Sequence, residues 1–254
     1  MRRIRLVLEY DGSGYSGWQR QLNAVSVQQR VEEALRSLTG EGKITVTGAS
    51  RTDAGVHALG QNAHFDTESR IPADKFAFAL NTLLPDDIRI SKSSEVTERF
   101  HARFSARAKE YRYLFYSALH ASALYRNLSA HVFYPLDIDK MSREAETLIG
   151  THDFAPFAAS GSVVKDTVRR IDSVSITQTP PFIELRVAGN GFLYNMVRII
   201  AGTLTGVGSG KLPEGAIRRA LASSSRLDLG VTAPPQGLTL MRVDYPEDLC
   251  LPPM

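Results

Sequence analysis

Two hydrophobic periodicities alternate along the first half of the chain. A period of two is typical of strands, and a period near 3.6 is typical of helices. The strand pattern is found in residues 3–10, 43–48, 58–66 and 88–93. The helix pattern is found in residues 27–38 and 72–84. Ser26 and Gln29 have the spacing of a capping box at the start of the first helix, and Gly40 is the residue type that ends one.

The second half repeats this order of elements. Strands are predicted over residues 109–117, 166–178, 182–188 and 238–245, and helices over 141–149, from about 193, and after 213. Strand-helix-strand-strand-helix-strand is the order of the ferredoxin-like unit, which RNA-recognition modules share. We therefore predict an α+β protein of two such halves, with a largely antiparallel sheet and its helices on one face. The predicted domains are residues 1–105 and 106–254.

Composition narrows the class of protein. Among 254 residues, 43% are hydrophobic and 22% are charged, which is typical of a folded globular chain. No apolar run has the length of a membrane span, and no signal peptide follows the basic start. A single cysteine, Cys250, excludes an internal disulfide framework and a cysteine-rich zinc site. We expect a cytoplasmic protein that is not bound to a membrane.

The net charge of +3 is modest, but its distribution is uneven. Basic and aromatic residues alternate between Arg99 and Tyr113. Such a mixture suits a polyanion whose bases stack on rings. A solvated, charged strand edge explains the same segment equally well.

The segment from Gly48 to Ala58 is the least ordinary part of the sequence. It joins two predicted strands with small residues and carries Arg51, Asp53 and His57. A carboxylate close to an arginine stays ionised when it is shielded from water, and it can then act as a nucleophile or a general base. A turn in which Asp53 caps backbone groups is the simpler explanation of the residues alone.

Several motifs together resemble one family. Arg51 to Ala58 (RTDAGVHA) is similar to the most specific motif of the tRNA pseudouridine synthase A family, except that Ser50 stands where the family more often has glycine. Other segments agree in order and spacing: 10–19 (YDGSGYSGWQ), 100–106 (FHARFSA), 110–113 (EYRY), 152–154 (HDF), 167–169 (TVR), 191–198 (GFLYNMVR) and 237–238 (GL).

The resemblance implies a fold, a reaction and a set of residues. It implies the pseudouridine synthase fold with an RNA-binding cleft, and an isomerase that converts uridines 38–40 of the tRNA anticodon arm to pseudouridine. Asp53 matches the catalytic nucleophile, which attacks either ribose carbon one or the uracil ring. The matching substrate-binding residues are Tyr111 against the target base, Arg51 and Arg198 near the carboxylate, and Leu238 as an apolar wall.

The resemblance also implies the partners. We expect tRNA as the substrate, a homodimer, and no cofactor, because isomerisation adds and removes nothing. The residues expected along the RNA backbone are Arg103, Arg107, Lys109, Lys165 and Arg169. His57 and His64 lack the spacing of a metal-binding pair, so we expect no metal.

Three other functions fit the sequence less well. Gly206 to Lys211 superficially resembles a phosphate loop, but Leu212 stands where serine or threonine would bind magnesium. A non-catalytic RNA-binding module would need no reactive acid in the loop at Asp53. A glycoside hydrolase normally needs paired acids, and no second acid stands out beside Asp53.

Overall fold

The computed structural model describes residues 1–159 and 166–249. The chain is a mixed α+β protein that forms two compact units. Of the described residues, the first unit comprises 1–108 and 240–249, and the second comprises 109–159 and 166–239. The sequence placed residues 240–249 in the second domain, whereas the structure groups them with the first unit.

The first unit follows the order of elements that the periodicity predicts. Its elements are β1 (Arg2–Tyr10), α1 (Val27–Thr39), β2 (Thr47–Gly48), β3 (His57–Thr67), α2 (Phe76–Asn81) and β4 (Ile88–Val96). The strand order is β4-β1-β3, with β2 also paired to β3, and these pairs are antiparallel. A further strand, β10 (Leu238–Asp244), begins in the second unit and follows β3 in the order.

Helix α1 shows how local sequence determines an element. The Ser26 side chain accepts a hydrogen bond from the backbone N–H of Gln29 at 3.3 Å, and Gly40 ends the helix at a φ of 73°. Val27, Val31 and Leu35 are fully buried. The predicted Ser26 cap, apolar stripe and stop are confirmed, because each depends only on neighbouring residues. The second half of the capping box differs, because the Gln29 amide donates to Glu33 at 2.9 Å.

The predicted strand over residues 43–48 is wrong for most of its length. Only Thr47–Gly48 pairs as a strand. Just before it, the Val46 N–H donates to the Glu32 carboxylate at 3.1 Å, and the Val46 carbonyl accepts from the Gln28 amide at 3.0 Å. Side chains of α1 thus take the place of a strand partner.

The second unit contains two short strands that the periodicity does not predict. Its elements are β5 (Ala108–Ser117), β6 (Ala130–Val132), α3 (Ile138–Glu146), β7 (Gly150–Asp153), β8 (Val168–Thr179), β9 (Phe182–Gly189), α4 (Met196–Gly208) and α5 (Ala216–Ser223). The strand order is β5-β9-β8-β7, all antiparallel, with β6 parallel to β5. The unpredicted strands are β6 and β7, which are too short for a clear period.

The helices of the second unit differ from their predicted bounds by a few residues. Helix α3 begins at Ile138 rather than 141, because the Asp137 side chain accepts from the Lys140 N–H at 3.0 Å and caps it there. Helix α4 is buried along much of its length, including Ile199, Ile200 and Leu204. The phosphate-loop-like segment is the C-terminal end of α4 and the turn that follows.

Candidate active site

The loop that carries Asp53 lies between β2 and β3 and is fixed by hydrogen bonds on both sides of the acid. Before it, the Thr52 carbonyl accepts from the Trp18 N–H at 3.0 Å, and the Thr52 hydroxyl lies 2.8 Å from the Tyr10 hydroxyl. After it, the Val56 N–H donates to the Asp53 carbonyl at 3.1 Å and closes a tight turn. Asp53 itself is half-buried, whereas Arg51 is exposed.

Two glycines let the N-terminal motif pack directly against this loop. A Cβ on Gly12 would lie 2.0 Å from the Val56 carbonyl oxygen. A Cβ on Gly17, which has a φ of +87°, would lie 2.5 Å from the Thr52 carbonyl oxygen. Only glycine allows such close backbone approach, so the two motifs form one structural unit.

His57, in the Asp53 loop motif, also contacts the N-terminal motif. It is 4% exposed, and its Nδ1 accepts from the Gly12 N–H at 3.0 Å and lies 3.2 Å from the Asp11 carboxylate. Burial alone would raise the pKa of Asp11, but the hydrogen bonds that it accepts from Ser13 outweigh this effect, so the pKa is lowered. The histidine of the motif is thus part of the loop's support.

Tyr111 lies on β5 in the second unit. It is 8% exposed, and its ring meets Phe192 edge to face with centroids 5.1 Å apart. Tyr113, two residues along the strand, is fully buried, and its hydroxyl donates to the Pro234 carbonyl at 2.8 Å. A Cβ on Gly237 would meet the Tyr113 ring at 2.6 Å, so this ring is enclosed.

Arg198 is held in a fixed direction at the first turn of α4. Its Nε donates to the Ala233 carbonyl at 2.8 Å, and its Nη1 donates to the Asn195 side chain at 2.6 Å. A planar guanidinium held by two acceptors has little freedom to rotate. Leu238, the first residue of β10, is 6% exposed.

The residues predicted along the RNA backbone have different surroundings. Arg103 and Arg107 are exposed, and neither makes an ion pair with another residue in the described part of the chain. Lys109 is half-buried, and Arg169 donates to the Val168 carbonyl at 2.6 Å. Lys165 lies outside the described residues.

Comparison with known proteins identifies the family. A sequence model of the family described as tRNA pseudouridine synthase matches residues 6–105 and 145–246. The chain belongs to the tRNA pseudouridine synthase family. The resemblance seen in the motifs is confirmed, and the enzyme is an isomerase.

Alignments with similar proteins cover nearly the whole chain of this synthase. It is 53% identical over 246 residues to tRNA pseudouridine synthase A of Ruminiclostridium cellulolyticum, covering 96% of this chain and 100% of that one. It is 51% identical to the protein of that name from Acetivibrio thermocellus, with the same coverage. A solved archaeal box H/ACA sRNP Nop10–Cbf5 complex matches with a TM-score of 0.38 and 12% identity, over 80% of this chain and 43% of that one.

The residues of this synthase that support the Asp53 loop were not predicted from its sequence. Gln61 is fully buried on β3, and its side-chain amide accepts from the Ser50 N–H at 3.2 Å and donates to the Ser50 carbonyl at 2.7 Å. Tyr10 bonds Thr52 from β1. The sequence could have indicated such residues by a polar side chain at a buried position of a predicted strand, because a buried polar group needs a hydrogen-bond partner.

Two further properties of the described residues concern metal-binding groups and membrane-spanning helices. No group of three or more His, Cys, Asp or Glu side chains within residues 1–159 and 166–249 is arranged to hold a metal ion. No helix in those ranges is both long and apolar enough to cross a membrane.

Proposed function

We propose that this synthase isomerises uridines 38–40 in the anticodon arm of tRNA and uses Asp53 as its nucleophile. The observation that supports this most strongly is the placement of Asp53. It lies in the family's most specific motif, on a turn that backbone and side-chain hydrogen bonds hold on either side. A nucleophile held in advance loses little freedom when the substrate arrives.

The reaction conserves every atom of the nucleotide. The bond between uracil N1 and ribose C1′ breaks, and a bond between uracil C5 and C1′ forms. The proton that leaves C5 is balanced by the one that N1 gains. The target base is stacked in the RNA, so it must first be flipped out of its neighbours.

The other residues bind the flipped nucleotide in this proposal. Tyr111 offers its ring to the uracil, and its edge-to-face contact with Phe192 keeps that ring in place. Leu238 supplies an apolar wall. Arg198, which Ala233 and Asn195 orient, favours the ionised form of a carboxylate, and exposed Arg51 contacts the RNA beside it.

The phosphate contacts belong to the same proposal. Arg103 and Arg107 are exposed and make no ion pair with a carboxylate in the described chain, so their charges are available to RNA phosphates. We assign Lys109, Lys165 and Arg169 to the RNA backbone as well.

We also infer the finer architecture and assembly. Each half is a ferredoxin-like unit, which the order β4-β1-β3-β2 in the first unit and β5-β9-β8 in the second supports. As in the family, the enzyme works as a homodimer in the cytoplasm, where its tRNA substrate is found.

The test is a direct assay of the product on defined RNA. The full chain is incubated with unmodified tRNA that carries uridine at positions 38–40, and pseudouridine is mapped by a carbodiimide block to reverse transcription. Asp53→Asn should abolish the product and leave tRNA affinity within a few-fold, because the amide keeps the shape but cannot act as the nucleophile.

The matched control is Asp74→Asn, which removes an exposed carboxylate of the same unit. It should react like the unaltered enzyme. Product from the Asp53 variant would overturn the nucleophile, and product at other positions of the tRNA would overturn the assigned target. Binding without product from the unaltered chain would favour a non-catalytic RNA-binding module.

A further inference from the structure

One exposed aromatic ring lies among arginines in the first unit. Phe104 is 76% exposed, although exposing a phenylalanine ring to water is unfavourable. Residues 98–107 contain three arginines and one acid, Glu98. None of the three, Arg99, Arg103 and Arg107, makes an ion pair with a residue that the structure describes.

The ring is held by a small, closed turn. The Ser105 N–H donates to the His101 carbonyl at 2.9 Å, and the His101 N–H donates to the Ser105 hydroxyl at 3.0 Å. The His101 Nδ1 accepts from the N–H groups of Arg103 and Phe104, at 3.2 Å each. Four hydrogen bonds within five residues leave the turn one conformation.

Hydrogen bonds also anchor this turn, residues 101–105, to the rest of the first unit. The Ala102 N–H donates to His64 Nδ1 at 3.1 Å, and the Ala102 carbonyl accepts from the Tyr245 hydroxyl at 2.6 Å. Both partners lie in the first unit, His64 on β3 and Tyr245 after β10. Phe104 is therefore fixed at the surface although its own side chain contributes little to the core.

The groups around the ring suit a nucleobase. The His101 ring packs against Phe104 with centroids 4.4 Å apart and planes 31° apart, and the Arg103 guanidinium lies 5.5 Å from its centroid. These neighbours leave three quarters of the residue exposed. A held aromatic ring with a cation beside it is the arrangement by which proteins stack unpaired bases next to bound phosphates.

We propose that Phe104, supported by His101, is a stacking platform for an unpaired base of the tRNA, in addition to the target base. This inference rests on the proposed function, since it takes tRNA as the partner. Arg103 and Arg107 bind the phosphates on either side of that base. Stacking holds the RNA chain in position at that base, and the arginines supply the positive charge that attracts its phosphates.

The test separates the ring from the charges. Phe104→Ala should weaken binding of the unmodified tRNA by about five- to a hundredfold, from the value of base–aromatic stacking. The slope of log affinity against log salt should not change, because the ring carries no charge. Arg103→Gln should instead reduce that slope by about one. Binding of a duplex RNA with no unpaired base should be the same for Phe104→Ala and the unaltered chain.

Phe78→Ala is the matched control. Phe78 is 70% exposed and has a cation, Lys75, 5.4 Å from its ring centroid, but it lies on α2 beside the exposed acid Asp74. It should bind tRNA like the unaltered enzyme. Phe104→Trp adds a direct readout: tRNA should quench its fluorescence beyond any change seen for buried Trp18 in the unaltered chain, which is measured in parallel.

The outcomes are distinguishable. Equal tRNA affinities for the two alanine variants, or an indole that tRNA does not quench, would overturn the platform. If Phe104→Ala sediments as a smaller oligomer than the unaltered chain, the platform is also overturned, and the ring is assigned to a contact between copies of the chain. If the unaltered chain neither binds nor modifies tRNA, the proposed function fails. If it does both while Phe104→Ala binds normally, only this inference fails.

Discussion

Tyr111 and Tyr113 lie two residues apart on one face of β5, and the structure gives them different surroundings. Tyr113 has no exposed surface, and its hydroxyl is bonded to the Pro234 carbonyl. Burial raises its pKa, and the nearby Arg198 opposes this only in part. Tyr113 can neither stack on a base nor act as a base at neutral pH, so only Tyr111 suits the proposed contact.

At this scale we predict that Tyr111→Phe keeps useful activity and Tyr111→Ala does not. Phenylalanine retains the aromatic face, whereas alanine loses a stacking contact of roughly 1–3 kcal/mol. Because about 1.4 kcal/mol is a factor of ten in rate, Tyr111→Ala should be about ten- to a hundredfold slower or more. Single-turnover rates on one tRNA measure this.

Tyr113→Phe is the control for the hydroxyl alone. It should lower the free energy of unfolding by about 1–3 kcal/mol, because the buried Pro234 carbonyl loses its donor, while the rate stays near normal. If Tyr111→Phe is as inactive as Tyr111→Ala, the hydroxyl takes part in the chemistry, for example by removing the C5 proton, and stacking is not its main role.

At the scale of elements, the loop between β2 and β3 depends on side chains from other elements. Gln61 of β3 pairs with both backbone groups of Ser50, much as a strand partner would. Tyr10 of β1 holds Thr52. Asp53 follows directly, so side chains from β1 and β3 help to hold the backbone segment on which Asp53 lies.

We predict that Gln61→Leu affects both stability and catalysis. Leucine leaves the Ser50 N–H and carbonyl without their partner, and the free energy of unfolding should fall by about 1–3 kcal/mol. Displacement of the loop should lower kcat by up to about a hundredfold while KM changes little. Urea denaturation and steady-state kinetics measure the two effects.

Gln29→Leu makes the same exchange at a partly exposed position of α1, where the side-chain amide donates to Glu33. Its stability should stay within about 0.5 kcal/mol of the unaltered protein. Full kcat in a folded Gln61→Leu protein would show that the Ser50 bridge has no part in placing Asp53.

At the scale of the whole molecule, buried histidine makes folding depend on pH. Burial, with the charge of Arg3 and His101, lowers the pKa of His64 to about 4 from an ordinary value of 6.5. The folded chain therefore keeps His64 neutral over a range in which the unfolded chain binds a proton. The stability that neutral His64 contributes is fully present above about pH 6.5 and is lost as the pH falls toward 4.

We predict a decline in the free energy of unfolding between these two pH values. One proton contributes at most about 1.4 kcal/mol per pH unit, reduced by solvent screening. His64→Gln should make the decline shallower, and the exposed His120→Gln is the control for loss of a histidine. The lowered pKa of Asp66, caused chiefly by its hydrogen bond to Arg3, acts only below its ordinary value of 3.8. An unchanged slope in His64→Gln would contradict the assignment.

The sequence by itself determined the order of the longer elements, the residues that begin and end α1, and the motif around Asp53. These depend on periodicity and on residues a few positions apart, where local geometry decides the outcome. It also placed the basic and aromatic residues from Arg99 to Tyr113 in one segment, though not which of them are exposed.

Only the tertiary structure decided which distant residues meet. Gln61 and Tyr10 are 51 residues apart in the chain, and Tyr113 and Pro234 are 121 apart. Side chains of α1, and not a strand partner, bond both backbone groups of Val46, and residues 240–249 return to the first unit. A buried polar group accepts any partner of suitable chemistry, and local sequence does not specify which one the folded chain brings within 3 Å or so.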